Sequence, residues 1–171
     1  NFQDDGDIIF QSDDGSGGVE TYFYLDGSLG SDPYTIFPDS STLALGTGYD
    51  LRLYHDGSNS YVRNTTGNLI IQAATTDGDL ILQSDDGSGG ETPYLTLDGG
   101  LGYTTVQKDI RADDGVYIAA GAGLDLSITH NGTSSFLQNI TGDLYIRNSA
   151  NDKDIIFQSD DGSGGVETYF F

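Results

Sequence analysis

Residues 7–23, DIIFQSDDGSGGVETYF, recur without a change at residues 154–170. A looser copy, DLILQSDDGSGGETPYL, occupies residues 79–95 between them. The offsets are 72 residues (7 to 79) and 75 residues (79 to 154). A second block repeats as well. YDLRLYHDGSNSYVRNTTGNLIIQ at residues 49–72 aligns with LDLSITHNGTSSFLQNITGDLYIR at residues 124–147, again 75 apart. The three extra residues enter between Gly102 and Leu124, where the copies are least alike. Self-similarity at a fixed period marks stacked units that cannot bury their apolar faces alone. The chain accordingly divides into the end of a preceding repeat (1–6), unit 1 (7–78), unit 2 (79–153) and the start of a third unit (154–171). Both ends fall inside a repeat, the expectation for a window on a longer array.

Within a unit the apolar residues alternate with period two. Ile8 and Phe10 share one face, and Ile9 and Gln11 the other. Leu51, Leu53 and His55 alternate with Arg52 and Tyr54, and Leu69 and Ile71 with Ile70 and Gln72. Turn signals such as His55-Asp56-Gly57 and Thr66-Gly67 stand between these runs. The pattern predicts an all-β chain of short strands, each with one dry face, beginning about eight to twelve residues apart. No segment carries a helical period. Pro33, Pro38 and Pro93 sit at or near the variable region or the glycine-rich turn, where they do little harm to a ladder.

Dry faces of two or three large residues make a thin core, and closed cyclic association covers such faces. Three chains around one axis would bring three copies of each face together. Composition adds a constraint. Six Lys and Arg against 27 Asp and Glu give a net charge of −21, so three chains carry −63. That charge excludes general binding to nucleic-acid backbones and disfavours anionic membranes. It makes counterions important to any assembly. The longest apolar run, residues 116–120, is far short of the ~18 residues that span a bilayer, so no membrane insertion is expected. The chain has no cysteine, so no disulfide or thiolate site exists in it.

The block DLRLYHDGSNSYVRNTTGNLIIQ at residues 50–72 resembles a repeat of tail-fibre proteins from marine and cyanobacterial phages. The matching residues are Tyr54, His55, Asp56, Gly57, Ser58, Asn59, Ser60 and Tyr61, then Gly67, Asn68, Leu69 and Ile71. The second copy reads Thr129, His130, Asn131, Gly132, Thr133, Ser134, Ser135 and Phe136: it keeps the histidine, the glycine and an aromatic, and replaces Tyr54 and Asp56. The resemblance covers about a third of the chain. It implies a homotrimeric, elongated β-fibre of the β-helix or β-prism kind, located on a virion tail. It also implies a contribution to attachment at a host cell-surface glycan or protein through the wider fibre.

Two sets of residues are candidate sites. The first is the pair of aspartates in each SDDGSGG: Asp13 and Asp14, Asp85 and Asp86, Asp160 and Asp161. Their carboxylates are hard oxygen ligands suited to calcium, although the spacing matches neither an EF-hand nor a calcium-binding nonapeptide. The alternative is a plain strand-to-strand turn, in which Asp caps the backbone and Gly supplies positive φ. The second set is His55 and His130, equivalent in the two copies and on the parity of the expected dry face. Around a three-fold axis each would form a ring of imidazoles able to hold an axial metal ion or an anion. The alternative is a histidine hydrogen-bonded within its own chain. Outward tyrosines such as Tyr22, Tyr24 and Tyr54 either stack on receptor sugars or pack across strands.

No nucleophile elbow, phosphate loop or HExxH is present, and a catalytic pair copied into every unit would be odd, so no enzyme is expected. The expectation is a structural segment of a phage tail fibre. The alternatives are a secreted or cell-surface calcium-binding adhesin with β-solenoid repeats, and a polysaccharide depolymerase with two carboxylates in a groove.

Overall fold

The computed structural model describes residues 3–28, 30 and 32–170. Among them it is all-β, with fourteen strands and no helix. Strands β1 (Ile8–Asp13), β2 (Val19–Asp26) and β3 (Tyr34–Ile36) form one antiparallel sheet; β4 (Thr42–Leu45), β5 (Leu51–His55) and β6 (Ser60–Asn64) form a second. The next repeat builds the same two sheets from β7 (Leu80–Asp85), β8 (Glu91–Asp98) and β9 (Tyr103–Val106), then β10 (Ile118–Ala120), β11 (Leu126–His130) and β12 (Ser135–Asn139). A last hairpin, β13 (Phe157–Asp160) and β14 (Val166–Phe170), restarts the series. Every sheet is a meander, strands adjacent in sequence being adjacent in space, and none closes into a barrel. Contacts divide the chain into two units, Asn1–Thr75 and Thr76–Phe171.

In the first unit Phe10 stands opposite Phe23 with ring centroids 4.3 Å apart, and Phe37 stacks on Phe23 at 5.5 Å. Ile8 pairs with Leu25 on the same face. The second sheet of this unit aligns Leu43, Leu53 and Val62 in one row and stacks Tyr54 on Tyr61 at 4.8 Å. The second unit repeats the device with Leu82, Leu95 and Val106, and with Ile118, Ile128 and Leu137. These cross-strand rows are the units of sheet stabilisation.

The first hairpin of each repeat carries a β-bulge at the same place. The register slips between Phe10 and Gln11, leaving Tyr22 unpaired, and the slip recurs at Leu82/Gln83 and Phe157/Gln158 to leave Tyr94 and Tyr169. Pro93 lies inside β8, opposite Gln83 and next to this bulge. A bulge already interrupts pairing there, so the missing N–H is tolerated.

Two expectations need correction. The face carrying Leu51, Leu53 and His55 was expected to be dry, but within one chain it is not. Leu53 is 40% exposed, and its counterpart Ile128 is 55% exposed, while Ser127 and Thr129 on the opposite face of β11 are buried. The Thr129 hydroxyl donates to the Val116 carbonyl (3.1 Å), so the chain covers the polar face and leaves the apolar one bare. Among the described residues no apolar side chain is fully buried. Secondly, the alternation at residues 69–72 predicted a strand, yet residues 68–74 belong to no ladder, and neither do their counterparts 143–147. The regular strand spacing breaks at these places, between β6 and β7 and between β12 and β13. Period-two patterning reports suitability for a ladder, and one chain does not hold a partner for every suitable segment.

Candidate functional site

The three SDDGSGG segments are the tips of the bulged hairpins. Asp13 Oδ1 accepts from the Gly15 amide at 2.7 Å, and Asp14 Oδ1 accepts from the Ser16 and Gly18 amides at 2.7 and 3.0 Å. The Asp14 amide closes the loop on the Gly18 carbonyl at 3.2 Å. Asp85 and Asp86 repeat these bonds at Gly87, Ser88 and Gly90, and Asp160 and Asp161 repeat them at Gly162, Ser163 and Gly165. Short carboxylates that fold back on their own amides make Asx turns. The tip also needs glycine: Gly17 has φ +88°, and a β-carbon at Gly18 would collide with the Asp14 carboxylate.

The amides of Ser16 and then Gly18 hold the Asp14 carboxyl below its ordinary pKa, and Ser163 and Gly165 do the same for Asp161. Each pair of aspartates thus spends one oxygen per residue on the turn. Among the described residues, no three His, Asp or Glu side chains converge as a metal site would require.

His55 and His130 occupy equivalent places at the ends of β5 and β11, where each closes the next hairpin. His55 pairs with Ser60, His130 with Ser135, and in both the ring Nδ1 lies 3.0 Å from the serine Oγ. The loop beyond is held by Asp56, whose Oδ1 accepts from Ser58 and Asn59 at 2.9 and 2.8 Å. Asn131 does the same for Thr133 and Ser134 at 3.0 and 2.8 Å. An amide oxygen replaces a carboxylate oxygen without loss of the turn, so the change from Asp56 to Asn131 is a conservative one. The Asn59 amide, the Tyr61 hydroxyl and the Ser58 amide together lower the Asp56 pKa, and the same hydrogen bond raises that of Tyr61. With Nδ1 engaged, Nε2 of each histidine is the atom that a ring of symmetry-related imidazoles would present.

Of the tyrosines singled out from sequence, Tyr24 packs opposite Ile9 and Ile36 and Tyr54 stacks on Tyr61. Tyr22, at the bulge, is 52% exposed and lines a groove of about 520 Å³ with Glu20, Asp39 and Thr42. Sequence reasoning missed the bulge because a one-residue slip leaves no mark on composition. The signal was present in the strand lengths: residues 19–23 must span opposite residues 10–13, one fewer.

No protein-family model matches this chain, and no curated protein or solved structure is significantly similar to it.

Proposed function

We propose that this chain is a segment of the shaft of a phage tail fibre. It is a non-enzymatic structural element: a homotrimer of elongated, β-helical or prismatic build on the virion tail. It spaces a host-binding tip from the particle.

The observation that carries the reading is the missing core. The chain exposes 13923 Å² at a mass of 18.2 kDa, whereas a folded monomer of that mass exposes about 8,100 Å². The surplus of about 5,800 Å² is several times the ~1,600 Å² of an ordinary stable interface. Rows of Leu, Ile and Val that repeat with the sequence are among the exposed residues, so each added repeat adds the same apolar face. Burial between chains then supplies the stability that one chain lacks. Repetition serves a spacer, whose job is length, better than it serves an enzyme, whose site is made once. The tail-fibre repeat resembled by residues 50–72 supplies the virion context. On this reading the SDDGSGG tips are turns copied along with the architecture, and no calcium or axial metal is required for the fold.

Light scattering on the native particle, with and without chelator, tests this. A mass near three chains in both conditions is expected. A well-folded monomer overturns the trimer, and collapse in chelator moves the reading to a calcium-dependent adhesin. Antibodies to the chain should then decorate the tails of virus particles from the source of the sequence. Decoration of cell surfaces instead would overturn the phage assignment while leaving the fibre intact.

A further inference from the structure

We infer that residues 69–72 and 144–147 are strands completed between chains: each pairs, backbone to backbone, with the segment at the same height on a neighbouring copy. The inference rests on the self-association proposed above and specifies how it is made.

Three observations converge on these segments. First, they are strand-like but unpaired. Leu69, Ile70 and Ile71 are 45, 77 and 62% exposed, and Leu144, Tyr145 and Ile146 are 45, 84 and 55% exposed. Among the described residues, no backbone hydrogen bond reaches residues 68–74 or 143–147. Apolar, β-branched and aromatic residues of this kind bury well only when their N–H and C=O groups are also paired. An extended neighbour meets both needs at once.

Second, both segments leave their sheets in the same built manner. The Asn64 side-chain amide donates to the carbonyls of Thr66 and Gly67 at 3.1 and 2.9 Å, and Asn139 to those of Thr141 and Gly142 at 3.1 and 2.8 Å. The Thr66 hydroxyl donates to Asp50 Oδ1 at 2.8 Å, and that of Thr141 to Asp125 Oδ1 at 2.9 Å. Gly67 and Gly142 turn the chain at φ +66° and +67°. A loop free to wander has no use for the same three-bond clamp in both repeats. The clamp aims the segment.

Third, the charge permits it. Residues 64–76 carry no charge in a chain of net −21, and residues 143–147 balance Asp143 with Arg147. Copies brought together here escape the repulsion that the rest of the chain imposes. The occupant is a second copy because rotation about a closed symmetry axis brings the same residues of each copy to one height. The unburied surface of the chain, about 5,800 Å² beyond that of a folded monomer of its mass, exceeds what a stable interface needs.

Hydrogen exchange on the assembled particle, read by mass spectrometry, is the test. The amides of residues 69–72 and 144–147 should exchange as slowly as those of β5 and β11, and roughly 100-fold faster once the particle is dissociated. Fast exchange at these amides in an intact oligomer overturns the inference while leaving the assembly reading standing. A monomer overturns both. Since the chain has no cysteine, Ile70→Cys adds a geometric check. Mild oxidation should join chains through residue 70, whereas Ser88→Cys at a hairpin tip should not. Protected amides without the residue 70 cross-link would overturn the same-height pairing.

Discussion

Asp14, Asp86 and Asp161 each hold two loop amides, the turn role expected of the Asp-rich motif. Replacing Asp14 by Ala removes both acceptors and should lower the melting temperature by a few degrees, whereas Asp14→Asn, which keeps the acceptor and loses only the charge, should lose less. Asn131 already does the equivalent work in the place of Asp56. Differential scanning calorimetry of the two variants checks this; equal losses would show that the carboxylate charge matters and revive the calcium reading. Gly17→Ala should cost about 1 kcal/mol, because φ +88° is strained for any residue with a β-carbon although open space surrounds it. Both turn roles were legible in the sequence, since Asp-Asp-Gly-Ser-Gly-Gly names its own turn chemistry. The serine partner of each histidine was legible only after the register was known: His55 and Ser60 are five residues apart, and only a four-residue loop brings them face to face.

At the scale of the element, each three-stranded meander pairs its strands in register but buries little of its apolar face. The rows Leu43–Leu53–Val62 and Ile118–Ile128–Leu137 are paired across their strands, yet their side chains remain 40–59% exposed. Ile128→Asp should therefore break association and leave the hairpins formed. Light scattering would report single chains while far-ultraviolet circular dichroism kept its β signature. Ile128→Ala should weaken the assembly by about 2–3 kcal/mol per chain through lost burial. If Ile128→Asp assembled normally, the row would be a solvent face and the fibre reading would lose its main support. Alternation identified these faces correctly as apolar. It did not say how exposed they would remain among the described residues.

For the whole molecule, charge and burial oppose each other. Three chains of the proposed trimer would carry −63, so added salt should stabilise that assembly by screening. Acid should do so too, up to a point. The carboxyls of Asp14, Asp56 and Asp161 have folded pKa values below the ordinary 3.8. Their capping stability is thus present above that value and lost as pH falls through the lower folded one. The net charge itself falls toward zero as the pH approaches the pI of about 4.1. Thermal stability of the assembly should rise from pH 7 toward the pI of about 4.1 and fall once the pH drops below 3.8, where the capping contribution is progressively lost. A monotonic fall from neutral pH downward would show that repulsion is not the dominant cost.

By itself the sequence determined the period, the all-β class, the hairpin tips and the apolar faces, because turn chemistry and alternation act over a few neighbouring residues. Two things were decided only by the tertiary structure. The bulge that turns out Tyr22, Tyr94 and Tyr169 depends on the register between two strands. The bareness of the apolar rows and of residues 69–72 depends on what else the chain brings near them. Register and coverage are sums over distant contacts. A local pattern shows that a face needs a partner, but only the folded chain shows whether it contains one.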